Sequence, residues 1–215
     1  DFRTSYLNLA NTIGRLAPEA SYIGLTATAS INVLKDIQTE FRVPDENVRT
    51  PLEFTREELS FHVIDDKGRK GYSVQTLVKG MESKWNADGG SKAGIIFTPT
   101  VNGNKGCFEL AGTLSASLKM DVHFYSGSVP KGFRLQGAAF DDYKKNVQTD
   151  FKENKYKLLV ATKAFGMGVN KGNIAYTIHF GIPGSMEALY QEAGRAGRDK
   201  KLFKEVPADC YVLLT

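Results

Sequence analysis

Seven short apolar runs, each bounded by polar or glycine-bearing turns, constrain this 215-residue chain more than any other feature. They are Ser21–Ala27, Leu59–Ile64, Ala93–Phe97, Asp121–Tyr125, Lys157–Ala161, Ala175–Phe180 and Cys210–Leu214. Several are apolar at nearly every position, which suits strands buried on both faces. Stretches with helical spacing separate them: Phe140, Tyr143, Val147 and Phe151 recur every three or four residues, with Lys and Asp on the other side. Leu34, Ile37 and Phe41 do the same after Ser30, a residue suited to cap a helix. Strand-like and helix-like segments in alternation predict an α/β fold with a three-layer parallel sheet. Val43–Glu58 holds two prolines, mixed charges and no period, and reads as a linker. It divides residues 1–50, too few to fold alone, from residues 51–215, which are of domain size. Trp85–Lys92 reads as a polar loop before a buried strand.

Composition narrows the class. With 41% hydrophobic and 24% charged residues the chain can bury a core, and no apolar run approaches the ~20 residues of a membrane span. Two cysteines build no disulfide scaffold, and His62, His123 and His179 lie far apart, so no metal centre is expected. The chain opens on Asp1 without a basic-then-apolar leader, and an excerpt of a longer intracellular protein is expected. The net charge of +4 is unevenly placed: residues 131–215 hold 14 basic and 9 acidic side chains, whereas 1–130 nearly balance. That excess points to anionic partners, phosphate above all, or to a solvated lysine-rich face.

Most catalytic signatures are missing. No Gly is followed by Lys, so the phosphate-cradling Gly-Lys-Ser/Thr loop is absent. There is no Gly-x-Ser-x-Gly elbow, His-Glu-x-x-His helix or Cys-x-x-Cys pair. Gly166, Gly168 and Gly172 lack dinucleotide-binding spacing. Three segments remain. In Ser185–Arg198 a helix would place Met186, Leu189, Tyr190 and Ala193 on one face, with Gln191, Arg195 and Arg198 opposite. Two guanidiniums and an amide then point one way, suited to phosphate oxygens, or they form an exposed pair near a helix end. Leu158–Asn170 runs from a buried strand into Thr162 and a glycine-bearing turn, the place where parallel sheets hold ligands, or an ordinary strand-to-loop transition. Leu25–Ser30 ends a strand on small hydroxyl residues that suit close packing.

Together and in this order, the three segments resemble motifs III, V and VI of superfamily 2 helicases, and their wording is most similar to the RecQ family of ATP-dependent DNA helicases. Asp1-Phe-Arg3 resembles the end of that family's aromatic-rich loop, and Ala27-Thr-Ala-Ser30 its motif III. Gly94–Thr100 stands at motif IV, and Phe124-Tyr-Ser-Gly127 resembles Tyr-His-Ala-Gly. Ala161–Lys171 and Tyr190–Asp199 are near-verbatim motifs V and VI. Gly172, Ala175, Gly181, Gly184 and Tyr125 depart from the family's usual Pro, Arg, Asp, basic residue and His.

The resemblance implies a RecA-like fold in which residues 1–50 finish the first helicase lobe and 51–215 form the second. It implies ATP with Mg2+, held mainly by the first lobe, and single-stranded or duplex DNA as partner, unwound 3′→5′. It makes Arg198 an arginine finger on the γ-phosphate, with Arg195 and Gln191 coupling nucleotide to lobe closure, and Asn170 and Gly168 beside the nucleotide. Thr162, Thr98 and Tyr125-Ser126-Gly127 would hold phosphates of the tracking strand. A cytoplasmic location, nucleoid-associated or nuclear, and roles in DNA repair and recombination follow from the family. Without a phosphate loop, these residues alone are not expected to hydrolyse ATP. An RNA helicase of the DEAD-box kind, whose motif VI reads His-Arg-x-Gly-Arg, and a non-catalytic interaction module on the same fold are the rivals.

Overall fold

The computed structural model describes residues 8–26, 31–50, 55–87, 89–165 and 169–214. The chain divides into two compact units, Asp1–Thr55 and Arg56–Thr215.

In the first unit, helices α1 (Leu9–Leu16) and α2 (Ile31–Phe41) precede a 3-10 turn at Asp45–Asn47. Leu34, Ile37 and Phe41 lie half-buried along α2, and Phe41 meets Tyr22 edge-on at 5.6 Å. Gln38 closes the turn by donating to Asp45 Oδ1 at 2.8 Å. The strand expected over Ser21–Ala27 does not form: residues 21–26 are irregular, and Ile23 and Leu25 are 89% and 93% exposed. A strand needs a neighbour to bond its amides and carbonyls, and the described residues of this unit contain no other. Asp1–Arg3 and Ala27–Ser30, with the expected helix cap Ser30, lie outside the described residues.

The second unit is built on six strands: β1 (Leu59–Asp65), β2 (Ala93–Phe97), β3 (Val122–Tyr125), β4 (Leu158–Ala161), β5 (Ile174–His179) and β6 (Ala208–Leu214). They form one sheet in the order β1-β6-β5-β2-β4-β3, with every pair parallel. All residues of β2, β4 and β5 are buried, which is why their sequences read as unbroken apolar runs. Between strands come α3 (Lys70–Asn86), α4 (Cys107–Leu118), α5 (Gly137–Lys152) and α6 (Met186–Ala193). Helix α3 extends into the segment expected as a loop, and its last residue, Asn86, closes the connection by donating to Lys92 O and accepting from Lys92 N.

Helices cover both faces. On one, Asp209 accepts from Lys84 Nζ (2.7 Å) and Trp85 Nε1 (3.2 Å) of α3, and Phe108 of α4 packs against Phe124. On the other, His179 bonds Glu192 of α6, and Gln148 of α5 donates to the Tyr125 hydroxyl. The core between these layers is a continuous apolar cluster that includes Phe151, Tyr176 and Phe203. Phe140, Val147 and Phe151 turn inward from α5 as their spacing predicts. Among the described residues, no helix is long and apolar enough to cross a membrane. The crossover connections place the loops after β2, β4 and β3 side by side at the sheet's carboxyl edge, and that edge positions the site.

Candidate functional site

Thr98, Ser126 and Thr162 each follow the last residue of a strand, and β2, β4 and β3 are neighbours. The backbone continues the ladder past the strand ends: Thr98 N donates to Ala161 O at 2.8 Å and Thr162 N to Tyr125 O at 3.0 Å. All three residues are buried. The Thr98 hydroxyl donates to Thr100 O (3.0 Å) and that of Ser126 to Ser128 O (2.6 Å), so both protons shape their own loops. Tyr125 is drawn towards α5, its hydroxyl accepting from Gln148 and its ring edge-on to Phe165 at 5.2 Å. Gly127 is exposed.

Charge on these three loops is one-sided. Residues 98–106, 126–136 and 162–173 contain no Asp or Glu, yet they expose Lys105, Lys131, Arg134 and Lys163. The first two loops are tied together where Lys131 N donates to Asn102 Oδ1 at 2.8 Å. The third is anchored at its far end by Lys171, which is buried over the Phe151 ring at 5.0 Å and bonded to Asn154 Oδ1. Burial lowers the Lys171 ammonium to about 8.

The second part of the site is a turn. Ser185 caps α6 by accepting from Ala188 N at 3.1 Å, and the helix ends at Ala193. Gly194 N, Arg195 N and Ala196 N bond Tyr190 O, Glu192 O and Ala193 O as the chain unwinds. Arg195 and Arg198 therefore lie beyond the helix, so the shared helical face expected for Gln191, Arg195 and Arg198 does not exist. Glycine causes the difference. Gly197 adopts φ +63°, and a Cβ there would stand 2.7 Å from Glu58 O. Gln191 stays on α6 and is exposed, while Arg195 and Arg198 are half-buried.

The turn brings Arg198 to Asn170. Arg198 Nη1 donates to Asn170 Oδ1 (3.2 Å) and Val169 O (3.1 Å), and Nε to Gly194 O (3.3 Å). All three acceptors are neutral. Burial, and then the nearby Arg56 cation, lower the Arg198 guanidinium from its ordinary value; burial and then Arg198 do the same to Arg195. Clustered cations held by carbonyl dipoles fit a polyanion such as a nucleotide's phosphates. Gly168 lies outside the described residues. Among the described residues no three His, Cys, Asp or Glu side chains are grouped to hold a metal ion.

Arg56 and Glu58 belong to this cluster although the sequence places them in a linker. Arg56 Nη2 donates to Gly197 O at 3.1 Å and Nε to Glu58 Oε2 at 3.0 Å, while Lys200 pairs with Glu58 Oε1 at 3.1 Å. The Arg56 hydrogen bond, foremost, holds the Glu58 carboxyl at about 2 against an ordinary 4.5. A depressed carboxyl stabilises the fold above its unfolded value, and this contribution is lost as pH falls from about 4.5 towards 2. Acid titration followed by circular dichroism is therefore expected to show a shallower loss of stability over that window in Glu58→Gln than in the wild type.

Buried His179 connects α6 to β2. Its Nδ1 lies 2.9 Å from Glu192 Oε2 on α6, its ring stacks on Phe97 at 5.5 Å, and Phe97 immediately precedes Thr98.

Residues 74–200, more than half of the chain, match the family model described as helicase conserved C-terminal domain. The chain is 34% identical to ATP-dependent DNA helicase RecQ of Bacillus subtilis (strain 168) over 199 residues, covering 93% of this chain and 30% of that protein. It is 31% identical to ATP-dependent DNA helicase Q1 of Mus musculus over 213 residues, covering 99% and 29%. The chain thus spans under a third of these relatives. Among solved structures, S. cerevisiae Dbp5 L327V bound to RNA and ADP BeF3 matches with TM-score 0.70 at 16% identity, covering 100% of this chain and 50% of that one. Domain 2 of the DEAD-box helicase Mss116p matches with TM-score 0.54 at 18% identity, covering 73% and 54%. These likenesses carry the fold, a RecA-like helicase lobe. On its motifs, its sheet and these matches, the chain belongs to the helicase conserved C-terminal domain family, on the RecQ side of it.

Proposed function

We propose that residues 51–215 are the second lobe of an ATP-dependent 3′→5′ DNA helicase, and that residues 1–50 complete its first lobe. The observation that carries this reading is an acid-free part of the carboxyl edge: the three adjacent loops after β2, β4 and β3 expose four cations and no carboxylate, a surface matched to a phosphate backbone irrespective of base sequence. In this reading Lys105, Lys131, Arg134 and Lys163 attract the strand. The backbone turns at Thr98, Tyr125–Gly127 and Thr162 set its register, and the Thr162 hydroxyl donates to a phosphate. The arginine turn faces the nucleotide: Arg198 reaches the γ-phosphate, Arg195 and Gln191 sense its presence, and Asn170 and Gly168 line the same site. ATP and Mg2+ are held mostly by the first lobe, which supplies the phosphate loop these residues lack. Alone they bind without turnover. DNA is favoured over RNA because the segment resembling motif VI reads Gln191-Glu-Ala-Gly-Arg195 and not the His-Arg-x-Gly-Arg of the DEAD-box kind.

Single-strand binding by the full-length protein, titrated against salt, tests the edge. Neutralising Lys131, Arg134 and Lys163 together to Ala is expected to flatten the slope of log affinity against log salt by about 2, since each contact on single strands contributes roughly 0.7. The loss is expected to be equal on oligonucleotides of different base composition. An unchanged slope removes this edge from the DNA path.

A further inference from the structure

We propose that Arg56 is a positioning residue for the arginine finger: it grips the Gly197 carbonyl and thereby fixes the turn from which Arg198 projects. The inference rests on reading Arg198 as that finger, and it adds a residue from outside every motif.

The geometry is specific. Arg56 uses two edges of one planar guanidinium, Nη2 on Gly197 O and Nε on Glu58 Oε2. Its own carbonyl accepts from Leu59 N at 3.0 Å, so its backbone is fixed to the start of β1. From the other side, Gly197 N donates to Ile174 O at 3.1 Å. Gly197 is thus held by β5 through its amide and by Arg56 through its carbonyl. Glu58 O accepts from Ala208 N at 2.9 Å and lies against Gly197, where no side chain fits. The clamp is one residue from Arg198 and bonds a carbonyl that Arg198 does not use. Glu58 holds Arg56 in place and is itself paired with Lys200.

The clamp also explains how like charges stay together. Arg56 lies close enough to Arg198 to disfavour the charge on Arg198. A turn pulled only by Arg198's neutral acceptors would relax away from Arg56, whereas the bond to the Gly197 carbonyl turns that neighbour into an anchor. Lysine cannot replace it. One ammonium on a flexible stem does not span a carboxylate and a carbonyl in one plane. Misplacing a catalytic group by about 1 Å costs up to roughly 100-fold in rate.

The test is steady-state ATP hydrolysis by the full-length protein with saturating single-stranded DNA, comparing Arg56→Lys, Arg56→Ala and Arg198→Ala. Both Arg56 variants are expected to lose at least about tenfold in kcat while KM for ATP stays within about twofold, the signature of a group acting on the transition state rather than on binding. Thermal unfolding of each variant is measured alongside, at the assay temperature and above. A kcat retained in Arg56→Lys overturns the inference, as does a change confined to KM, or a loss that follows a fall in the folded fraction. If Arg198→Ala loses turnover while Arg56→Lys keeps it, only the positioning role falls. If Arg198→Ala itself keeps turnover, the reading of the finger falls, and the inference with it.

Discussion

Arg198→Ala in the full-length protein is expected to lower DNA-stimulated ATP turnover by about 10³-fold, with KM for ATP little changed. An arginine finger contributes 10³ to 10⁵ in rate because it meets charge that develops only as the γ-phosphoryl group leaves. The lower bound applies because Arg195 and Arg56 remain in the cluster and still offer positive potential. On the proposed reading, what Arg198 contributes in addition is placement. Its head group is oriented by Val169 O, Asn170 Oδ1 and Gly194 O, all neutral, so no carboxylate must be displaced before it engages an anion. Arg198→Lys keeps the charge without the planar fork and is expected to recover only a small part of the loss. Rapid-quench measurement of the hydrolysis step, with nucleotide binding followed separately, distinguishes lost chemistry from lost affinity. Turnover within tenfold of wild type in Arg198→Ala would show that another residue meets the γ-phosphate.

The strands were legible because burial on both faces writes itself into sequence. Ala93–Phe97 and Ile174–His179 are buried at every position, and their apolar runs needed no knowledge of partners. Ser21–Ala27 carries the same signal and misleads for the same reason: apolarity marks what can be buried, and pairing depends on a neighbour that the described residues of the first unit do not provide. The helical spacing of Ser185–Arg198 overextends the helix because the polar period of Gln191, Arg195 and Arg198 runs on past Ala193, whereas Gly194 and the left-handed Gly197 turn the chain. That turn still brings Arg198 to Asn170, which spacing alone could not predict across 28 residues. Arg56 left no trace at all. Its partner is a backbone carbonyl 141 residues away, and a carbonyl has no residue type to read.

The largest effect on stability is expected at Gly94, inside the segment that stands at motif IV. Gly94→Ala should destabilise the second unit by about 3 kcal/mol, which for a unit of this size lowers the midpoint of thermal unfolding by roughly 10 °C. Gly94 lies beside Tyr176 in the β2–β5 register, and the tyrosine ring lies across it. A Cβ at Gly94 would meet three ring atoms at 2.0, 2.2 and 2.6 Å. The ring has nowhere to go: Tyr176 is 0% exposed, and its hydroxyl reaches Glu82 Oε1 of α3 at 3.4 Å. Strand β2 is equally fixed, paired with β4 on one side and β5 on the other. Glycine in a central strand is otherwise a poor choice; here it makes room for an aromatic ring that joins sheet to helix. If steric overlap is the cause, the two sites must couple. Tyr176→Leu opens a cavity and lowers stability by itself, but adding Gly94→Ala to it is expected to have little further effect, a non-additivity of about 3 kcal/mol in a double-mutant cycle. Purely additive losses would place the cost of Gly94→Ala in the strand backbone instead of the Tyr176 ring. Because Thr98 follows β2 directly, any DNA binding lost by Gly94→Ala is expected to return on cooling below its lowered midpoint, which separates a failure of the sheet from a failure of the edge it carries.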